Sequence, residues 1–120
     1  MIRGVRGATT VDKNEHDEII SKSLEMLQDL INLNNITAED VVSVYFTVTA
    51  DIDATFPAKS LRMVEGWTYV PVMCMREIPV PGSLEKCIRV MVTVNTGKSQ
   101  KEIHHIYHYK AKKLRPDLKR

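Results

Sequence analysis

The sequence predicts an α+β domain, a mixed β-sheet with its helices packed on one face. Three observations predict it. One long stretch, residues 14–35, repeats its apolar residues with the period of an amphipathic helix, and four separate stretches alternate them with the period of a strand. Their order is strand, long helix, strand, short helix, strand, strand, which is neither a regular βαβ alternation nor an all-β pattern. The 120 residues, 43% hydrophobic and 27% charged with five Gly and five Pro, make a single domain, 1–120, with a mobile tail expected only from about residue 115.

The opening "MIRGVRGATTV" reads as a strand with Arg6 set between two glycines, which permit close backbone approach. In "NEHDEIISKSLEMLQDLINLNN", Ile20, Leu24, Leu27 and Ile31 recur at helical spacing, Ile19 and Leu30 widen the stripe, and Asn34 and Asn35 stop it. "TAED" is a short capped turn before a β-branched strand at about 41–49. "FPAKSLRMVEGW" predicts a short helix opened by Pro57 and closed by Gly66, with Lys59 and Arg62 on one face. "WTYVPVMCMREI" is the third strand and "EKCIRVMVTVN" the fourth, joined by the turn "PVPGS". The last stretch opens on a Ser99/Glu102 capping box, continues as a helix or a strand, and is terminated by Pro116. A sheet of four or five strands leaves a face and edges to cover, so oligomerisation is expected.

Several function classes fall away on composition. No apolar run of 18 residues and no signal-peptide core is present, so a soluble, cytoplasmic protein without membrane contact is expected. Net charge is +2, too mild for a nucleic-acid binder, although residues 110–120, "KAKKLRPDLKR", collect four Lys and two Arg against one Asp. Phosphate-loop, nucleophile-elbow and HExxH motifs are missing. His104, His105 and His108 include an i, i+4 pair if the segment is helical, yet no carboxylate or cysteine stands at ligand spacing, so no metal is expected. Cys74 and Cys87 sit in strand-like stretches without CxxC spacing and read as reduced thiols, Cys74 with no histidine near it in sequence to activate it.

The arginines carry the chemistry. In "EKCIRVMVTVN", Ile88, Val90, Val92 and Val94 share one face while Arg89 stands between Cys87 and Met91 on the other. A guanidinium keeps its charge at any physiological pH and needs a partner when it leaves water. Glu77, on the face of Met73 and Met75, is one candidate, as an ion pair across neighbouring strands. The other is a small ligand with more than one carboxylate, gathered by Arg6, Arg89, Arg62 and Arg115. Cys74 and Glu77 point to opposite faces of a regular strand, so one pocket holds both only if the strand bends or ends there.

"IRGVRGATTV", "FPAKSLR", "GWTYVPVMCMREI" and "CIRVMVTVNT" followed by "HHIYHYKAKKLRPDL" resemble, in order and spacing over nearly the whole chain, the monofunctional chorismate mutases of the Bacillus type. The resemblance implies a homotrimer forming a pseudo α/β barrel, with active sites at the subunit interfaces and no metal or organic cofactor. It implies the rearrangement of chorismate to prephenate, an intramolecular Claisen reaction on the route to phenylalanine and tyrosine. Carried over residue by residue, Arg89 donates to the ether oxygen and a carboxylate of the substrate, and Glu77 accepts from the ring hydroxyl. Arg6 and Tyr107 match the positions that bind the pyruvyl-side carboxylate. Phe56, Ala58, Lys59 and Arg62 match a neighbouring wall. Met73, in place of a hydroxyl residue, and Cys74 match lining positions, and Leu114 and Arg115 match a segment that orders over bound ligand. The competing enzyme reading is a small trimeric imine or enamine hydrolase, which also uses an interface arginine. The non-catalytic readings are a sensor of an aromatic-pathway acid and a weak nucleic-acid binder acting through the basic tail.

Overall fold

The structure, a computed structural model, describes residues 1–118. Five strands, β1 (Ile2–Thr10), β2 (Val41–Val48), β3 (Val72–Arg76), β4 (Cys87–Asn95) and β5 (Ile106–Tyr107), form one mixed sheet in the order β3-β2-β4-β1-β5. The central β4 runs antiparallel to both β1 and β2, while the outer β3 and β5 run parallel to their neighbours. The single long helix, α1 (His16–Asn34), packs on one face. The α+β expectation holds.

Register divides the side chains between two faces. Val5, Val44, Phe46, Ile88, Val90, Val92 and Ile106 turn toward α1 and are buried. On the other face Arg6 stands opposite Met91, Ala8 opposite Arg89, Thr47 opposite Arg89 and Met75 opposite Thr47. This face carries exposed Ile2, Tyr45, Met73, Met75 and Met91, a row of apolar groups that the described residues leave uncovered.

The helix stripe is rotated from the one expected. Ile19, Ser23, Met26, Leu27, Leu30 and Asn34 are buried, whereas Ile20, Leu24 and Ile31 are only partly so. Close approach explains the small and polar members. A Cβ on Gly7 would lie 3.0 Å from Val90 Cγ1 and 3.1 Å from Met26 Cγ, so the glycine lets α1 settle against β1. Asn34 is buried because its amide replaces strand pairing: Oδ1 accepts from His104 N–H at 2.8 Å and Nδ2 donates to His104 O at 2.9 Å. Asn35 then ends the helix in the left-handed region, φ 51°.

Other expectations are refined or corrected. The short helix is present as a 3₁₀ helix, Pro57–Met63, while the third strand starts only at Val72, because Pro71 lacks the N–H a ladder needs and residues 67–70 turn. The Ser99/Glu102 capping box is present, but it caps three residues of 3₁₀ helix (Gln100–Glu102) before the chain extends into β5. His104 and His108 therefore flank a strand and share no helix face. Pro116 does not terminate the last segment; it opens a final 3₁₀ turn, Pro116–Leu118, where its fixed φ suits the first position. Of the basic tail, Lys119 and Arg120 lie outside the described residues.

Candidate active site

Arg89 and Glu77 meet on the open face, near the end of the sheet where β2 and β3 finish and β4 begins. They do not sit on neighbouring strands: β2 runs between β3 and β4, and its Thr47 is opposite Arg89. Glu77 follows the last residue of β3 and keeps the ladder going, its N–H donating to Val48 O at 2.9 Å. Its carboxylate reaches over Thr47 to the guanidinium, taking Arg89 Nη2 on Oε1 at 2.6 Å and Nε on Oε2, and it also accepts from Thr47 Oγ1. This two-pronged pairing uses the fork geometry that lysine lacks. Arg89 is half exposed, at 50%, against 16% for Glu77, so the guanidinium is held at a cavity mouth and not sealed in the core. Its Nη1 donors are left for another acceptor.

The pairing sets the charges. Arg89 first, then Thr47, hold the Glu77 carboxyl below its ordinary range, with burial opposing them. Glu77 in turn raises Arg89 further. Both are ionised at neutral pH.

A cavity of about 460 Å³ opens beside the pair, lined by Arg6, Thr47, Arg89, Tyr107, Leu114 and Arg115 among others. Arg6 reaches it from β1, where the backbone N–H donates to His105 Nδ1 at 3.0 Å. Tyr107 reaches it from β5, opposite Ala8. Leu114 and Arg115 arrive after a 3₁₀ turn, Tyr109–Lys113, that docks on β1 through the fully buried Ala111 and through Lys110 N–H to Thr10 Oγ1 at 3.3 Å. The cavity thus gathers three guanidinium groups and the phenols of Tyr45 and Tyr107 with Met75 and Met91, and the Glu77 carboxylate is paired to Arg89 beside it. No thiol lines it: Cys74 faces the helix side, where burial pushes its thiol up, and Cys87 is pushed up to about 11 by the same cause. Among the described residues, no group of three or more His, Cys, Asp or Glu comes together as a ligand set, and no helix is long and apolar enough to cross a membrane.

The chorismate mutase type I family model matches residues 2–118. The chain belongs to that family. Chorismate mutase AroH of Bacillus subtilis (strain 168) is 50% identical over 118 residues, 98% of this chain and 93% of that protein. Chorismate mutase AroH of Thermus thermophilus is 41% identical over 119 residues, 98% and 97% of the two. Among solved structures, a chorismate mutase from Clostridium thermocellum superposes with a TM-score of 0.88 at 50% identity, covering 92% of this chain and 97% of that one. Membership of the chorismate mutase family leaves the imine hydrolase reading of the arginine without support.

Within the chorismate mutase fold, the residues singled out from sequence fall into two groups. Arg6, Glu77, Arg89, Tyr107, Leu114 and Arg115 meet at or beside the first cavity. Phe56, Lys59 and Cys74 border a separate groove near the β3 edge, with Ala58 giving the Cys74 sulfur a backbone hydrogen bond. Met73 is exposed on the open face and Arg62 is exposed in the last turn of the 3₁₀ helix, and neither lines these two hollows. The strand ends at Arg76 but does not bring Cys74 round to Glu77. Sequence reasoning missed Thr47, Tyr45 and Met75. The signal for Tyr45 and Thr47 was present in the alternation of "VVSVYFTV", since a strand whose Val44 and Phe46 face the core sends them to the other side.

Proposed function

We infer that this protein rearranges chorismate to prephenate, and that Arg89 is the group that lowers the barrier. The observation carrying this reading is a guanidinium fixed by Glu77 at the mouth of a cavity that also holds Arg6 and Tyr107 and, among the described residues, is lined by no Cys, Ser or His. An intramolecular Claisen rearrangement needs no nucleophile and no proton transfer: the ether C–O bond breaks while the new C–C bond forms. What it needs is a compact conformer of the substrate and stabilisation of the charge that separates as the bonds exchange.

Arg6 and Tyr107 bind the pyruvyl-side carboxylate. The Nη1 side of Arg89 donates to the ether oxygen, where negative charge grows, and to a carboxylate. Glu77, kept anionic by Arg89 and Thr47, accepts from the ring hydroxyl and faces the positive charge on the ring. Hydrogen bonds to charged groups contribute about 1.5–3 kcal/mol each. A million-fold acceleration requires about 8 kcal/mol, so two or three bonds that tighten in the transition state supply much of it.

The same reading makes the protein a homotrimer with shared sites. Two observations support it: the apolar row on the open face asks for a cover, and Phe56, Lys59 and Cys74 stand apart from the Arg89 cavity. In a trimer the second group of one subunit, with Ala58, Arg62 and Met73, walls the cavity of the next, while Leu114 and Arg115 fold over the substrate. No cofactor or metal takes part, and the unbridged Cys74 and Cys87 suit a cytoplasmic enzyme of phenylalanine and tyrosine biosynthesis. The test is incubation with chorismate at neutral pH without added metal. Disappearance of chorismate with matching appearance of prephenate is expected, and an unchanged substrate with folded protein defeats the proposal.

A further inference from the structure

The strand that carries Tyr107 is too small to hold itself. β5 has two residues and one neighbour, and pairs only at Gly7 and Ala8. Ile106, buried at 2% exposure, supplies one apolar anchor on the helix side. β1 adds hydrogen bonds to His105, His108 and Lys110, and a further set of polar anchors comes from α1.

Residues 104–109 run beside α1 in the opposite sense, and the helix meets them in reverse order. Asn34 holds His104 through both amide atoms at 2.8 and 2.9 Å. Asp29 Oδ2 lies 2.7 Å from His108 Nε2. Glu25 Oε1 accepts from the Tyr109 hydroxyl at 2.7 Å, and Lys22 Nζ stands 4.0 Å over the Tyr109 ring. Lys22, Glu25 and Asp29 are spaced i, i+3, i+7, so one helix stripe presents all three.

Alternation along the strand turns this into a device for Tyr107. Ile106 and His108 face the helix while Tyr107, between them, faces the cavity. His108 N–H also donates to Ala8 O at 2.9 Å. Tyr109 is held in the left-handed region at φ 53°, which a residue with a side chain adopts only where its surroundings enforce it. From there the chain enters the turn that delivers Leu114 and Arg115 to the cavity rim.

We propose that the polar stripe Lys22, Glu25 and Asp29, gripping His108 and Tyr109, positions Tyr107 for the substrate. These are positioning residues, since none of them lines the cavity. The kinetic part rests on the reading of Tyr107 as a carboxylate contact given under Proposed function. A contact made equally in ground and transition states governs KM and leaves kcat alone.

Asp29 is about half exposed, so Asp29→Ala is expected to fold. With fluorotyrosine in place of the tyrosines, and the Tyr107 line identified by its loss in Tyr107→Phe, Asp29→Ala shifts or broadens that line and leaves the lines of Tyr45 and Tyr69 in place. Asp29→Asn, which still accepts from His108, keeps the native spectrum. For chorismate, Asp29→Ala raises KM about three- to tenfold, the scale of one hydrogen bond, with kcat within about twofold. In the Tyr107→Phe background it has no further effect. An unmoved Tyr107 line, or an equal rise in KM with and without the phenol, overturns the proposal. If the wild-type protein fails to convert chorismate, the enzymatic reading fails and the fluorine spectrum alone decides whether the stripe positions Tyr107.

Discussion

Thr47 shows how one hydroxyl acts on a catalytic charge. It stands under the Glu77 carboxylate, opposite Arg89 in the register, and donates to the oxygen that also takes Arg89 Nε. Thr47→Val keeps the shape and deletes the donor, so kcat for chorismate should fall about three- to tenfold, the scale of one hydrogen bond to a charge, with the thermal midpoint little changed. The pH dependence follows from the direction of the Glu77 shift. A carboxyl whose folded pKa lies below its unfolded value of about 4.3 contributes stability that is fully present above that value and is lost as pH falls through the folded pKa. Activity is therefore expected to stay level from pH 8 down to about 5, and Glu77→Gln should flatten the acid limb of the stability curve below about pH 4.3. A wild-type rate that already fell between pH 7 and 6 would place the titrating group elsewhere. At this scale the sequence was partly legible. Arg89 in the middle of a strand announced a need for a counter-charge, and Glu77 was one of its two named partners. The bridge across an intervening strand was hidden, because strand order is set by long-range pairing that local alternation does not encode.

The elements were legible where period and propensity agreed. The helix ended at its asparagines, and β4 fell within the stretch read as the fourth strand, because apolar spacing alone specifies such segments. They were obscured where a side-chain contact far away in sequence decided the outcome. After the capping box at Ser99 the sequence left helix and strand open, and the chain becomes a strand after three residues of 3₁₀ helix, because Asn34 supplies partners for the His104 backbone and Ile106 finds the core. Two substitutions test this picture. Asn34→Ala removes the anchor from both ends of the His104 peptide groups and should cost about 1–3 kcal/mol by urea denaturation. Gly7→Ala puts a methyl 3.0 Å from Val90 Cγ1 and 3.1 Å from Met26 Cγ, and should also destabilise by about 1–3 kcal/mol. If Gly7→Ala were neutral, α1 would not be seated by close contact with β1.

For the whole molecule, the two separated groups of site residues and the uncovered apolar row are what the proposed trimer would account for together. Sedimentation equilibrium should return a trimer mass at micromolar concentration, and Met75→Lys together with Met91→Lys should lower it by burying two charges without partners. A monomer mass for the wild-type chain would leave Phe56, Lys59 and Cys74 outside any site. How the proposed trimer would divide the site was not visible in the sequence, since chain order says nothing about which copy of a residue faces which cavity. The central claim is that a rigid, two-pronged guanidinium at position 89 stabilises the charge that develops on the ether oxygen. Arg89→Lys keeps one positive charge and loses the fork, so the decisive measurement is its kcat for chorismate at saturation beside that of the wild type. A fall of roughly a thousandfold or more is expected, equivalent to about 4 kcal/mol of barrier, with the oligomer intact. A folded Arg89→Lys protein turning over within about tenfold of wild type would remove Arg89 from the chemistry.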